Sequence, residues 1–214
     1  MTMLPATAAL VVCALISAAL ATWSQVKERR SLHLVTKPLA TAMIIAAAGI
    51  AASPVPAAYK TLVLAGLALS LLGDIALMYP DKWFTAGLAA FLAAQIFYIL
   101  AFRPRPGHPV SIGTLLPYIL FGLLMFFLLA PRLGPMKVPV FVYVAAITTM
   151  AGFAAARYVD MGGTKTLLAF LGGVLFLVSD SVLAYDRFAR KVPNARILVL
   201  GTYFPAQILI ALSI

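Results

Sequence analysis

Eight apolar runs, each about as long as a bilayer is thick, divide this chain and leave it few possible folds. They fall at roughly 3–24, 36–53, 60–79, 84–102, 111–130, 138–156, 165–184 and 195–214. A helix crosses hydrocarbon in about 20 mainly apolar residues, and lipid satisfies no backbone outside a helix or a closed barrel. The runs are continuous rather than alternating, which selects helices. With 64% hydrophobic and 10% charged residues, the chain has too little polar surface to cover a water-soluble globule. It reads as an all-α polytopic membrane protein, a single integral domain of eight transmembrane helices with gaps too short for a soluble domain.

The net charge of +10 raises the question of nucleic acid, but the Lys and Arg residues lie in loops and at helix ends along the whole chain. Membrane topology accounts for them better. With the amino terminus outside, Lys27, Arg29, Arg30, Lys37, Lys82, Arg132, Lys137, Arg187, Arg190, Lys191 and Arg196 face the cytoplasm, and Lys60, Arg103, Arg105, Arg157 and Lys165 do not. That bias satisfies the positive-inside rule with both termini outside, as expected in a bacterial inner membrane. The first 25 or so residues carry no Lys or Arg ahead of their apolar core, unlike a secretory leader, and are expected to form a retained helix. The one cysteine, Cys13, sits in that helix and has no partner for an intramolecular disulfide.

Against this background a carboxylate inside an apolar helix needs a reason. Asp74 lies in LSLLGDIALMYPDKWF and Asp180 in FLVSDSVLAYDRF. Aligning the two acids also matches Leu77 with Leu183, Tyr79 with Tyr185, and Asp81-Lys82 with Asp186-Arg187. A second match follows each acid, Ala94-Gln95-Ile96 with Ala206-Gln207-Ile208. The arrangement predicts two parallel four-helix repeats, 1–105 and 106–214, about a pseudo-twofold axis near the membrane normal. Both acids then sit at similar depth, just below the cytoplasmic headgroups, where a lipid keeps its glycerol.

Gly66, Ser70 and Asp74 recur at four-residue spacing, so small residues and the acid share one helix face, and Gly172-Gly173 does the same for Asp180. Both acids are expected to point into the bundle. Two nearby carboxylates in low dielectric do not both ionise easily, so one holds a proton near neutral pH. That is what a reaction through an oxocarbenium ion requires: a proton donor, and a carboxylate that stabilises the cation or guides water. Ser70, Gln95, Tyr98, Tyr203 and Gln207 are candidates for hydrogen bonds in the same cavity. Tyr185, Asp186 and Arg187 are candidates at the interface, where Asp81-Lys82 and Asp186-Arg187 otherwise read as solvated pairs. Lys37, placed with Pro38 in the first turn of the second helix, is either a snorkelling anchor or a contact to a lipid phosphate. His33 and His108 fall on opposite sides. No residue pattern supplies a metal cluster, a phosphate-cradling glycine loop or a nucleophile elbow, so neither a metal nor a cofactor is expected.

LGDIALMYP, GLAAFLAAQIFYILAF, LFLVSDSVLAYDRF and TYFPAQILI, with the earlier Lys37-Pro38-Leu39, resemble the YhhN family, which includes the TMEM86-like lysoplasmalogenases. The likeness runs from about Lys37 to Leu209. It implies an eight-helix membrane hydrolase that cleaves the vinyl ether of a lysoplasmalogen to a fatty aldehyde and a glycerophospho-base, with Asp74 and Asp180 as the catalytic pair. The substrate would be a vinyl ether lysophospholipid, with Lys37 and Arg187 on its phosphate. Histidine often stands in that family where Gln95 stands here, and glutamine cannot shuttle a proton, which leaves Gln95 a hydrogen-bonding role. Buried acids in parallel repeats also describe a small proton-coupled transporter, and a non-catalytic lysolipid-binding protein is a third reading. The first predicts substrate-driven proton flux, the second binding without turnover.

Overall fold

The computed structural model describes residues 5–52, 54–105, 107–108 and 110–214, without the side chains of Pro80 and Asp81. Eight helices of membrane-spanning length and composition form among them. They are α1 (Pro5–Val26), α2 (Arg30–Ile50), α3 (Ala57–Leu77), α4 (Pro80–Phe102), α5 (Ile112–Leu129), α6 (Lys137–Met161), α7 (Thr164–Phe188) and α8 (Ala195–Leu212). Two 3-10 turns, Ala130–Arg132 and Gly134–Met136, join α5 to α6.

Helices adjacent in sequence pair in space, except α4 and α5. The contacts α1 to α2, α2 to α3, α3 to α4, α4 to α6, α6 to α7, α7 to α8 and α8 to α1 close a ring. Helix α8 also leans inward on α2 and α3, while α5 packs outside, on α6 and α7. The exposed Leu120, Leu124 and Phe127 of α5 are therefore surface for lipid. Small residues set the close approaches inside. A Cβ on Gly66 would stand 2.4 Å from the Tyr98 ring, and one on Gly172 2.7 Å from the Ile210 side chain. These two glycines let α3 meet α4 and α7 meet α8.

Several helices outrun their apolar stretches. Helix α2 begins at Arg30 rather than near 36, and α7 continues to Phe188 rather than stopping near 184. Helical hydrogen bonding does not end where hydrophobicity does, and long basic side chains reach water from within a helix. Pro38 consequently lies inside α2 instead of in its first turn, while the first-turn place in α4 goes to Pro80, where a missing N–H costs nothing. Tyr185, Asp186 and Arg187 become part of the last turn of α7 rather than a loop. The solvated Asp186-Arg187 pair does not form: Asp186 takes Lys191 at 3.2 Å and the Val192 N–H at 2.9 Å. Its expected counterpart, Asp81-Lys82, falls on a side chain outside the described residues.

Candidate active site

Asp74 sits one turn above the end of α3 and is 1% exposed. Burying an ionised carboxylate is tolerable only when it is paired and hydrogen-bonded, and this one is both. The Lys37 ammonium lies 3.2 Å from Oδ1. The Thr41 and Tyr203 hydroxyls each donate to Oδ2 at 2.7 Å. Lys37 and Thr41 are one turn apart on α2, so a single helix face supplies both. The network continues through α8 and α4: Gln207 Nε2 donates to the Tyr203 hydroxyl at 3.0 Å, and the Tyr98 hydroxyl donates to Gln207 Oε1 at 3.1 Å. Lys37 is thus neither an interface anchor nor free for a phosphate. It is buried and committed to Asp74.

Asp180 lies in the middle of α7 and is partly open to a cleft. Tyr143 of α6 donates a short hydrogen bond to it, and no ion pair reaches it among the described residues. The cleft lies between α4, α5, α6 and α7 and is partly open to the surroundings. Apart from Asp180, Tyr143, Thr148 and Ser181, its wall is apolar, with Leu88, Met125, Val144 and Leu177 prominent. Phe84 and Phe188 meet edge to face at 5.8 Å at the helix-end side, and the Arg187 guanidinium stacks 4.7 Å from the Phe84 ring.

The two acids belong to neighbouring compartments. Phe91 lines the cleft and meets Tyr203 edge to face at 5.9 Å, so one aromatic ring separates the cleft from the donor on Asp74. Asp74 does not itself line the cleft. On the far side of the α3 end, Met78 borders a polar recess with Ser24, Arg30, His33 and Arg196. His108, in contrast, pairs at 2.9 Å with Asp160 at the opposite end of the bundle.

Of the residues expected from the sequence, Asp74, Lys37, Tyr98, Tyr203 and Gln207 form one connected network. Ser70 is buried on the same face, with no hydrogen-bond partner for its hydroxyl among the described residues. Gln95 is fully buried with its amide within reach of the Tyr143 hydroxyl, although neither amide atom makes a well-formed hydrogen bond among the described residues. Tyr185 and Asp186 lie at the end of α7, outside the cleft. Tyr143 carries no signal in isolation, and Thr41 shows only by sharing a face with Lys37. Their positions relative to the acids do carry one: Lys37 precedes Asp74 by 37 residues, and Tyr143 precedes Asp180 by the same 37.

The model of the YhhN family matches residues 32–214. The chain is 37% identical over 157 residues to lysoplasmalogenase TMEM86B of Sus scrofa, covering 73% of this chain and 64% of that protein. It is 38% identical over 158 residues to lysoplasmalogenase TMEM86A of Bos taurus, covering 72% of this chain and 65% of that protein. An uncharacterized membrane protein YhhN of Escherichia coli O157:H7 is 26% identical over 182 residues, 84% of this chain and 86% of that protein. The chain thus spans slightly less than two thirds of the lysoplasmalogenases it matches. No solved structure matches it.

Proposed function

The chain belongs to the YhhN family, and from that premise we propose that it is a membrane hydrolase cleaving the vinyl ether of a lysoplasmalogen, with Asp180 as proton donor and Asp74 as the fixed carboxylate. The observation that carries the reading is the unlike surroundings of the two acids. Lys37 and two hydroxyls occupy both oxygens of Asp74, and two neighbouring carboxylates in low dielectric do not both ionise easily. The proton therefore belongs on Asp180, which faces an apolar cleft with no cation beside it.

The alkenyl chain lies in the cleft between α4, α5, α6 and α7, with the phosphate toward the helix ends, where Arg187 and the basic termini gather. Asp180 gives its proton to the alkenyl carbon distal to oxygen. The π electrons form the new C–H bond, and the positive charge is shared between the other vinyl carbon and the ether oxygen. Asp74 and the newly ionised Asp180 stabilise that oxocarbenium ion. Water adds to the carbon, and its proton returns to Asp180. The hemiacetal then collapses: the bond from that carbon to the glycerol oxygen breaks, the glycerol oxygen takes a proton, and the hemiacetal hydroxyl loses one. One water is consumed, and a fatty aldehyde and a glycerophospho-base leave. The same proposal puts the protein in a bacterial inner membrane with both termini outside, its two four-helix halves related by pseudo-twofold symmetry.

Purified protein in detergent, given lysoplasmenylethanolamine, releases fatty aldehyde, while the saturated alkyl ether analogue yields none. No aldehyde from folded protein would end the hydrolase reading and favour transport or binding alone.

A further inference from the structure

Gln95 and Gln207 occupy matching places in the repeated Ala-Gln-Ile segments, and both are fully buried. Gln207 is satisfied from both sides, by Tyr203 four residues earlier on its own helix and by Tyr98 across the bundle. At Gln95 the residue four positions earlier is Phe91, which offers no hydroxyl. The position matching Tyr98 across the bundle is Ile210, packed on Gly172 as Tyr98 is packed on Gly66. Both hydroxyls that serve one glutamine are thus replaced by hydrocarbon at the other, and neither Gln95 Oε1 nor Nε2 makes a well-formed hydrogen bond to the protein among the described residues. A buried amide without well-formed hydrogen bonds is costly, and such a group calls for an explanation. What lies beside it is Tyr143, the donor to Asp180.

We infer that Gln95 binds the hydrolytic water, holding it between its amide, the Tyr143 hydroxyl and Asp180. A buried water needs two to four polar partners, and these three groups supply them at the edge of the cleft, where Tyr143 and Asp180 line the wall and Gln95 stands behind Tyr143. The inference rests on the proposed vinyl ether hydrolysis and assigns a step within it. Gln95 Oε1 accepts one water hydrogen and Asp180, ionised after protonating the alkenyl carbon, accepts the other. The oxygen lone pair is then directed at the oxocarbenium carbon. Gln95 takes no proton and gives none, consistent with an amide at this position.

The test separates protonation from water addition. In deuterated water, wild-type protein converts the vinyl ether to aldehyde and the unreacted substrate stays undeuterated. Gln95→Leu keeps the proton donor and loses the water site, so the oxocarbenium ion reverts by shedding a proton from the same carbon. Aldehyde release falls at least tenfold, and recovered substrate gains deuterium at the alkenyl carbon distal to oxygen. Because the Gln95 amide makes no well-formed hydrogen bond to the protein, the leucine variant stays folded, with a thermal transition in detergent near the wild type. Gln95→Glu, which retains an acceptor oxygen, releases aldehyde faster than Gln95→Leu and accumulates less deuterium in the substrate. Wild-type turnover in Gln95→Leu, or slowed turnover with no deuterium in recovered substrate, overturns the inference. Loss of folding in Gln95→Leu together with Gln95→Glu also overturns it, since that would make the glutamine a structural partner. Absence of aldehyde from the wild type is the separate failure of the hydrolase reading.

Discussion

Asp74 and Asp180 stand at matching places in two similar sequence segments and keep opposite company. Asp74 has a lysine, a threonine and a tyrosine on its two oxygens. Asp180 has one tyrosine and an apolar cleft. The difference comes down to three positions. Counting 37 residues back from each acid gives Lys37 and Tyr143, counting 33 back gives Thr41 and Ile147, and the place of Tyr203 before its glutamine is held by Phe91 before Gln95. Replacing ammonium, hydroxyl and phenol by phenol, aliphatic chain and phenyl turns an ion-pair site into a cleft with a lone acid. The carboxyl group is the same in both; on the proposed reading its neighbours decide whether it serves as a fixed anion or as a proton donor.

Asp180→Asn gives the largest effect on turnover. A general acid contributes about 10²–10⁴-fold, so aldehyde release falls by that much while the thermal transition in detergent stays near the wild type. Full activity in this variant would remove the two-carboxylate scheme. Lys37→Met acts instead on the fold: it strands a buried anion, and breaking such a pair costs about 3–5 kcal/mol. A denaturation series would detect it, and Lys37→Met with Asp74→Asn should recover much of the loss. If the double variant is no more stable than the single one, Lys37 and Asp74 are not coupled as described. Tyr143→Phe removes the hydrogen bond on Asp180, and such bonds to charged groups are worth about 1.5–3 kcal/mol. Turnover should drop roughly ten- to a hundredfold with little change in stability. The smallest effect belongs to Thr41→Val, one of three partners of Asp74, at about 1 kcal/mol of stability.

Much of this architecture is legible in the amino-acid sequence. Eight apolar runs dictate eight helices because lipid leaves the backbone no other partner, and two acids in apolar helices stand out because hydrocarbon makes them costly. The surroundings of Asp74 are legible as a set of residues, Lys37, Tyr98, Tyr203 and Gln207, but not as a network. Lys37 beside a cluster of basic residues looks like an interface side chain, and only the extension of α2 back to Arg30 sets it deep enough to meet Asp74. Tyr143 is hidden for another reason: a tyrosine in an apolar helix is ordinary, and only a count from both acids picks it out. Gln95 is visible through its repeat, whereas its lack of well-formed hydrogen bonds depends on Phe91 and Ile210, residues that packing alone distinguishes from many other apolar ones. The separation of the acids into two compartments depends on the same ring, since Phe91 borders the cleft on one side and Tyr203 on the other.

The most direct test of carbon protonation from the cleft follows both isotopes of solvent through one turnover. Lysoplasmenylethanolamine is hydrolysed in deuterated water and, separately, in water labelled with heavy oxygen, and both products are read by mass. Protonation by Asp180 predicts one solvent deuterium on the aldehyde carbon next to the carbonyl and no heavy oxygen in the glycerol hydroxyl, because water attacks the vinyl carbon and the glycerol keeps its own oxygen. Heavy oxygen in the glycerol hydroxyl would mean cleavage on the other side of the ether, with no oxocarbenium ion, and would contradict the roles given to Asp180 and Asp74.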